Sequence, residues 1–580
     1  MKKIGIVGLG VTGISALYGI LSASKLNLEK SRSPNISQID VFENSSIGGA
    51  QYCPSSVSLE HFINMDINAM SIANINLANW LSKNSKKICE YFDENYKDHH
   101  LVEYSKKIIH EITPDNKFVY IPRIVYGLYL NNIYESIIRE FTYEGVLINE
   151  IESKISLIQK DEYKTPETYD YVIYCGGHQI DKPVNKEKIF YPYPAKDIYK
   201  KMNSILDAIK LNKSKDTIDV GILGTSLSGI DAIFSIDSWL KKKEVEERLF
   251  EKLNLAWTSR SLIFPNARLT DLAENSLDGN LLMERCREQC KILKNKMNIG
   301  EISANDYEKM MLGIHIEIIN EYRNEFSSKY QISLRNLSFE EVYNPTELVC
   351  KNSDEFMEKT KLSIDRASNP NDLDFFLSQS AFRMSSKYGL YIFNKLSKVG
   401  LGKDYRTAFV ANATPVPIAT LKRLIEVFEN KKIFLEIKQP TNLNHDSLDL
   451  LIDSSTSIKR VGEQTGVLKE LLDHKMISLS GTSVHPRLLT PANNKVVTSF
   501  AFGSFKEGEN AGIICFQDLQ TEIDTEKKKK ISWFRTDKSA IMEKKYQLEI
   551  EEFCIKELPK SSFIPSSISR LGILSYEAKL

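Results

Sequence analysis

Apolar positions open the chain in a broken rhythm. Ile4, Ile6, Val7, Leu9 and Val11 are interrupted by Gly5, Gly8, Gly10 and Gly13, and a continuous helix-like run, Ile14 to Leu21, follows. A short β-like run, a glycine-rich turn and a helix predict the opening of a nucleotide-binding unit. The basic pair Lys2-Lys3 and the small residues Ser22-Ala23-Ser24 also outline a secretory leader. The glycines weigh against that outline, because each costs roughly 1 kcal/mol of helix relative to alanine. Gln38 to Glu43 predicts a second strand ending in an acid, and the polar stretch Asn27 to Ser37 predicts a long loop before it.

Farther on, Tyr171-Val172-Ile173-Tyr174 has the pattern of a buried strand, ended by Gly176-Gly177. Tyr191-Pro192-Tyr193-Pro194 reads as a linker. A second strand, turn and helix then spans Ile218 to Ile236, followed by the strand NLAWTSRS. From about Asp271 to Gly400 the period is helical, and this stretch is read as an insertion. Strand-like runs return at Lys432–Ile437, Leu448–Ser455 and Asn494–Phe505.

The first turn is G-x-G-x-x-G at Gly8, Gly10 and Gly13. Gly8 allows a tight turn, Gly10 lets a pyrophosphate approach the backbone, and Gly13 lets helix pack on strand. Glu43 stands where such a unit places a carboxylate for ribose hydroxyls; the alternative is a solvated strand-end acid. The second turn is G-x-S-x-x-G at Gly224, Ser226 and Gly229, and Ser226 brings a hydroxyl that can donate to phosphate. Its second strand ends in Ser259-Arg260 rather than an acid. An arginine there suits a 2′-phosphate and hence NADPH, against the alternative of a surface ion pair. Two units in one chain imply two nucleotides, and the usual reason is a relay from NAD(P)H to a flavin.

Composition narrows the classes. At 580 residues the chain is too long for one core. Lys+Arg and Asp+Glu both number 76, so no global field draws the chain to nucleic acid or an anionic membrane. Lys527–Lys530 reads as a solvated loop. No other apolar segment is long enough to span a bilayer. The eight cysteines are sparse and scattered, which suits a reduced, cytoplasmic protein. Cys286 and Cys290 share a helical face without a second pair or nearby histidine, so they read as packing, and no metal site is expected. His99-His100 reads as surface.

Five stretches together resemble the two-dinucleotide-binding flavoproteins grouped with FAD-dependent urate hydroxylase and aspartate N-monooxygenase. They are the first turn, Ile47–Ser71, Ile121–Leu130, Tyr169–His178, and Val220–Ala232 with Thr258–Arg268. The likeness covers about the first half of the chain. It extends to the lysine and ornithine N-hydroxylases through Asp170–Gly177, where Cys175-Gly176 replaces Ala-Thr and Tyr174 replaces Leu or Phe. The resemblance implies an α/β fold with two Rossmann-like dinucleotide-binding domains and a helical insertion, FAD on the first turn and NAD(P)H on the second. By position it puts Gly48, Gly49 and Asn64 on the flavin side of FAD. Asn64 either bonds the flavin or caps a turn. Arg123 either pairs with a phosphate or substrate carboxylate, or forms an ion pair at a helix start. His178 reads as structural or inter-domain before catalytic.

The expected domains are 1–195 and 456–580 for FAD, 196–270 and 401–455 for NAD(P)H, and 271–400 for the helical insertion. The expected function is a flavin monooxygenase acting with O2 on a small polar molecule. A flavin oxidase or reductase, or a non-catalytic NAD(P)H sensor, are the alternatives. The insertion is expected to cover the flavin and select the substrate, with Arg285, Arg287, His315 and Arg383 as polar candidates. Neither a catalytic residue nor the oligomeric state is legible.

Overall fold

The structure is a computed structural model. It describes residues 2–29, 36–43, 47–64, 67, 70–72, 75–113, 119–151, 171–175, 189–212, 217–225, 227–247, 252–259, 262–269, 272–397, 399–402, 404–413, 415–430, 433–444 and 447–454, with the short strands 479–480, 483–484, 487–488 and 498–501.

The first unit begins with β1 (Lys2–Val7), α1 (Val11–Glu29) and β2 (Ile36–Phe42). Ile4 and Ile6 are fully buried and Val7 nearly so. That suits a central parallel strand covered on both faces. Helix α1 runs through Glu29, into the stretch expected as loop, and Ser37 lies within β2. Then come α2 (Gly49–Tyr52), α3 (Leu77–Tyr96), α4 (Val102–His110) and α5 (Arg123–Tyr143), before β3 (Leu147–Ile151) and β4 (Tyr171–Tyr174) return to the sheet. Helix α3 starts where the Asn76 side chain accepts from the Asn79 amide, which satisfies an otherwise orphaned donor.

The second unit has β5 (Ile189–Phe190), α6 (Ala195–Asn212), β6 (Thr217–Leu223), α7 (Leu227–Glu247), β7 (Lys252–Thr258) and the short β8 (Ala267–Arg268). A helical part follows: α8 (Gly279–Asn298), α9 (Ala304–Tyr330), α10 (Phe339–Tyr343), α11 (Ser353–Ser368), α12 (Leu373–Ser397) and α13 (Arg406–Ala413). Next are β9 (Val416–Pro417), α14 (Ile418–Glu429), β10 (Ile433–Lys438) and β11 (Leu450–Asp453), then β12 (Leu479–Ser480), β13 (Ser483–Val484), β14 (Arg487–Leu488) and β15 (Thr498–Ala501).

The strands form two main sheets, ordered β14-β15-β4-β1-β2-β3 and β10-β7-β6-β11-β5. In the first, β1 pairs in parallel with β2 and β4, β2 with β3, and β15 with β4. In the second, β6 pairs in parallel with β7 and β11, and β10 with β7. Counting the strand before each glycine turn as first, each sheet contains the run third-second-first-fourth, β3-β2-β1-β4 and β10-β7-β6-β11, the Rossmann order. The fold is α/β, with two Rossmann-like units and a helical insertion between the second and third strands of the second unit. β5 lies inside the span expected for the first unit, yet pairs with β11 of the second sheet, so the boundary falls before Ile189. A two-residue strand is too short to show a period.

Each unit has its own core. Ile4, Ile14, Ile39 and Tyr129 belong to one cluster, Ile222, Ile233, Leu255 and Trp257 to another, and Cys286, Cys290, His315's neighbour Leu312 and Leu377 to the helical one. Both cysteines are thus packing residues in the helical core. Their mutual hydrogen bond, followed by burial, pushes the Cys286 thiol far up.

Candidate dinucleotide sites and the seam between them

Gly8 ends β1 with φ +95°. Its amide donates to the Phe42 carbonyl at 2.8 Å. A Cβ on Gly13 would lie 1.9 Å from the Gly8 carbonyl oxygen, so only glycine lets α1 approach the turn this closely. A Cβ on Gly10 would meet nothing within 4 Å. Space therefore lies open in front of the turn, where a pyrophosphate needs the backbone. Gly48 and Gly49 lie against the same turn: Gly48 donates to Leu9 O at 2.8 Å, and a Cβ on Gly49 would be 3.6 Å from Gly10 Cα. The Glu43 carboxylate accepts from the Leu9 amide at 2.6 Å, placing the strand-end acid on the turn. These residues fit a dinucleotide. Cys175 donates its amide to Val7 O at 2.7 Å, and burial pushes its thiol far up, so it is not a ready nucleophile. Gly176, Gly177 and His178 lie outside the described residues.

The second turn repeats the construction. Gly224 has φ +98° and donates to Thr258 O at 2.8 Å. A Cβ on Gly229 would lie 2.4 Å from Gly224 O. Two side chains that sequence reasoning missed brace this turn. Trp257 Nε1 donates to Gly224 O at 2.9 Å, and Ser454 Oγ, just past β11, donates to Leu223 O at 2.6 Å. Ser226 and Arg260 lie outside the described residues.

Arg123 opens α5, where its backbone suits a helix start after Pro122. Its guanidinium is 7% exposed and meets the Asp231 carboxylate of α7, itself 4% exposed, at 2.6 Å. It also donates to Phe62 O at 3.0 Å and to the Tyr193 hydroxyl, which in turn donates to Asp231. Burial opposes the charge on Arg123, but Asp231, Tyr193 and Tyr52 together outweigh it, so the pKa rises. Of the two roles open to Arg123, its geometry carries the ion pair. Tyr193, in the stretch expected as a linker, bridges the two charged groups.

Around this pair, loop 58–64 of the first unit receives side chains from several elements of the second. The Ser58 amide donates to His61 Nδ1 at 3.3 Å. Nε2 therefore carries the proton, 2.8 Å from Ser235 Oγ and 3.2 Å from Asp231 O. Burial pushes the His61 pKa down, which keeps the ring neutral. Glu60 is fully buried. Burial alone would raise its pKa, but hydrogen bonds from His99 and Ser58 help hold it well below the usual carboxylate range. Tyr199 of α6 donates to Glu60 Oε1, and Arg423 of α14 to Glu60 O at 2.7 Å. His99 is not a bare surface residue: its Nε2 lies 3.2 Å from Glu60 Oε2. Arg268, at the end of β8, donates to the carbonyl of Asn64.

The polar candidates of the helical part mostly serve that part. Arg285 pairs with Glu321, and Arg287 lies 6.0 Å above the Tyr391 ring. His315 is buried, bonded to the Tyr343 hydroxyl at 2.7 Å, with burial lowering its pKa to about 3. Only Arg383 among the four reaches back to the segment after β8, donating to Leu269 O at 3.4 Å. Helical periodicity could not tell these inward and lateral commitments from a substrate-facing surface.

A family model described as FAD-NAD(P)-binding matches residues 5–179. The chain is also 25% identical over 289 residues to the Escherichia coli (strain K12) protein named Uncharacterized protein YdhS, covering 46% of this chain and 47% of that relative. The match thus spans about half the length of the curated relative. Among solved structures, L-lysine 6-monooxygenase from Pseudomonas syringae aligns with TM-score 0.38 and 8% identity, over 96% of this chain and 99% of that one. FprA from Mycobacterium tuberculosis in complex with NADPH aligns with TM-score 0.20 and 12% identity, over 45% of this chain and 44% of that one. No helix among the described residues is long and apolar enough to cross a membrane.

Proposed function

We propose that the protein is an FAD- and NADPH-dependent monooxygenase that hydroxylates a small polar molecule in the cytoplasm. One observation carries the reading: two glycine turns of the same construction, in two sheets of the same strand order, joined through a shared polar seam. When bound, the two cofactors supply reducing equivalents and oxygen activation.

The chain's part is to bind, orient and shield. Gly8, Gly10 and Gly13 give the FAD pyrophosphate its approach, and Glu43 faces the ribose. Gly48, Gly49 and the loop ending at Asn64 line the flavin side. Gly224, Ser226 and Gly229 receive the NADPH pyrophosphate, and Arg260 its 2′-phosphate. Arg123 acts on the flavin side through loop 58–64, because Asp231 already holds its guanidinium. Arg268, anchored on Asn64 O, brings a cationic group beside the flavin-side loop, where a small polar substrate has a partner. Small-molecule sites commonly form between domains, and the helical part closes this one from water.

The test supplies NADPH and 18O2 to the purified protein with a panel of small amines, amino acids and purines. Incorporation of one labelled oxygen atom into a product supports the reading. Stoichiometric hydrogen peroxide with every candidate makes the protein an oxidase, and NADPH binding without oxidation makes it a sensor.

A further inference from the structure

We propose that Asp231 is a positioning residue: with Arg123 and Tyr193 it holds the second nucleotide unit in one orientation against flavin-side loop 58–64. The inference rests on the two-cofactor reading for its kinetic consequence, and on geometry alone for its mechanical one.

Burying a guanidinium and a carboxylate is tolerable only where both find partners, and removing one partner is strongly destabilising. Here the partners come from three places: α5 of the first unit, α7 of the second, and the stretch between β5 and α6 of the second. Arg123 spends its nitrogens on Asp231, Tyr193 and Phe62 O, and the Tyr193 ring stacks edge-on to His61 at 5.6 Å. A sliding or rotating second unit would part these groups and leave two buried charges unpaired. The other seam contacts point the same way. Ser235, Arg268, Tyr199 and Arg423, from four elements of the second unit, all end on residues 58–64. Ala195, at the start of α6, also ties its amide to Ser56 O at 3.0 Å. The stretch between β5 and α6 is thus tied to the first unit at two residues, Tyr193 and Ala195.

A unit held this way presents its nucleotide at one fixed place. Reduction of bound FAD, two electrons passing as NADPH becomes NADP+, then needs no swing of one unit upon the other. Asp231 does not touch the reacting atoms in this account; it acts through Arg123 and the loop.

The experiment compares wild type with Asp231→Asn, Arg123→Gln and the double variant by hydrogen–deuterium exchange and by anaerobic stopped-flow reduction. Each single variant should raise amide exchange in loop 58–64 and early α7 by about tenfold or more, the scale of one lost charge-assisted hydrogen bond. Exchange in α9 and α12 should stay unchanged. At saturating NADPH, flavin reduction should slow about tenfold, while NADPH affinity stays within about twofold. The double variant should fall well short of the summed effects, as for two halves of one contact. Loop exchange within about twofold of wild type would overturn the inference. Raised exchange with an unchanged reduction rate would also overturn it, by making the cluster merely structural. If the charge variants are insoluble, Tyr193→Phe removes the bridging hydroxyl, keeps the ring, and should move the same readouts in the same direction. Wild type that binds no flavin would sink the cofactor reading, while the exchange data would still decide the mechanical claim.

Discussion

The two nucleotide units answer the same geometric problem with different bracing. In each, a glycine amide at positive φ bonds the end of the neighbouring strand at 2.8 Å. In each, a later glycine lets the helix approach the turn: the added Cβ would stand 1.9 Å from the turn carbonyl at Gly13 and 2.4 Å at Gly229. The supports differ. The first turn is held by an ionisable group, Glu43, on the Leu9 amide. The second is held by neutral donors, Trp257 and Ser454, on its carbonyls. A turn whose brace is itself suited to a ribose and a turn whose brace lies behind it should respond differently to the same change.

The sharpest break comes from placing bulk in front of the first turn. Gly10→Val should abolish flavin retention, read as loss of the visible absorbance of the purified protein. Compared as flavin-free proteins, variant and wild type should differ in thermal stability by no more than about 1 kcal/mol, because the new side chain starts in open space at a helix start. Full flavin content in a folded variant would remove Gly10 from the site.

Next come the paired substitutions Gly13→Ala and Gly229→Ala. Overpacking of this kind costs typically about 1–3 kcal/mol, and more where backbone cannot yield. Gly13→Ala should cost more, because its contact is shorter. Urea midpoints measure the difference, and equal loss would show that Trp257 and Ser454 make the second turn just as unyielding. Arg260→Ala tests the nucleotide assignment. It should weaken NADPH about 10- to 100-fold, the worth of a charge-assisted hydrogen bond, and leave NADH nearly unchanged. Isothermal titration with both nucleotides settles it, since equal weakening makes Arg260 structural. The smallest effect belongs to Ser454→Ala, which removes one neutral hydrogen bond at nearly constant volume. It should lower stability by about 1 kcal/mol; no change at all would mean that Trp257 alone braces the second turn.

What the sequence revealed follows the range of each interaction. β1, its turn and α1 were readable because strand, glycines and helix are neighbours in the chain, and the same holds for β6 and α7. The strand order could be guessed only by resemblance, because β10 and β11 return after the whole helical part. The seam was invisible for the same reason. His61 meets Ser235 across 174 positions and Tyr193 meets Asp231 across 38. One signal was available: Asp231 and Ser235 sit four apart among Ile230, Ile233 and Ile236, polar groups on a helix otherwise fit for burial. Two polar residues at helical spacing inside an apolar run mark a place where a partner must arrive. Glu43 was located from its strand end, but its bond to Leu9 belongs to side-chain geometry that no pattern encodes.

The nested order of the strands also sets a timetable for synthesis. The helical core closes from residues near one another in the chain, so it can form while translation continues. The second sheet must wait for β10 and β11, which complete it from beyond that core. The first sheet gains β15 against β4 only after all of these have emerged. Chains fold from the amino end as they are made, and each non-local pairing adds a loop-closure cost before it is rewarded. β1 to β4 can therefore pair first, the helical core and then the second sheet follow, and β4 carries an unpaired edge until β15 arrives. An edge left open that long is a template for pairing with another chain, so the interval between β4 and β15 is the stage most exposed to such pairing.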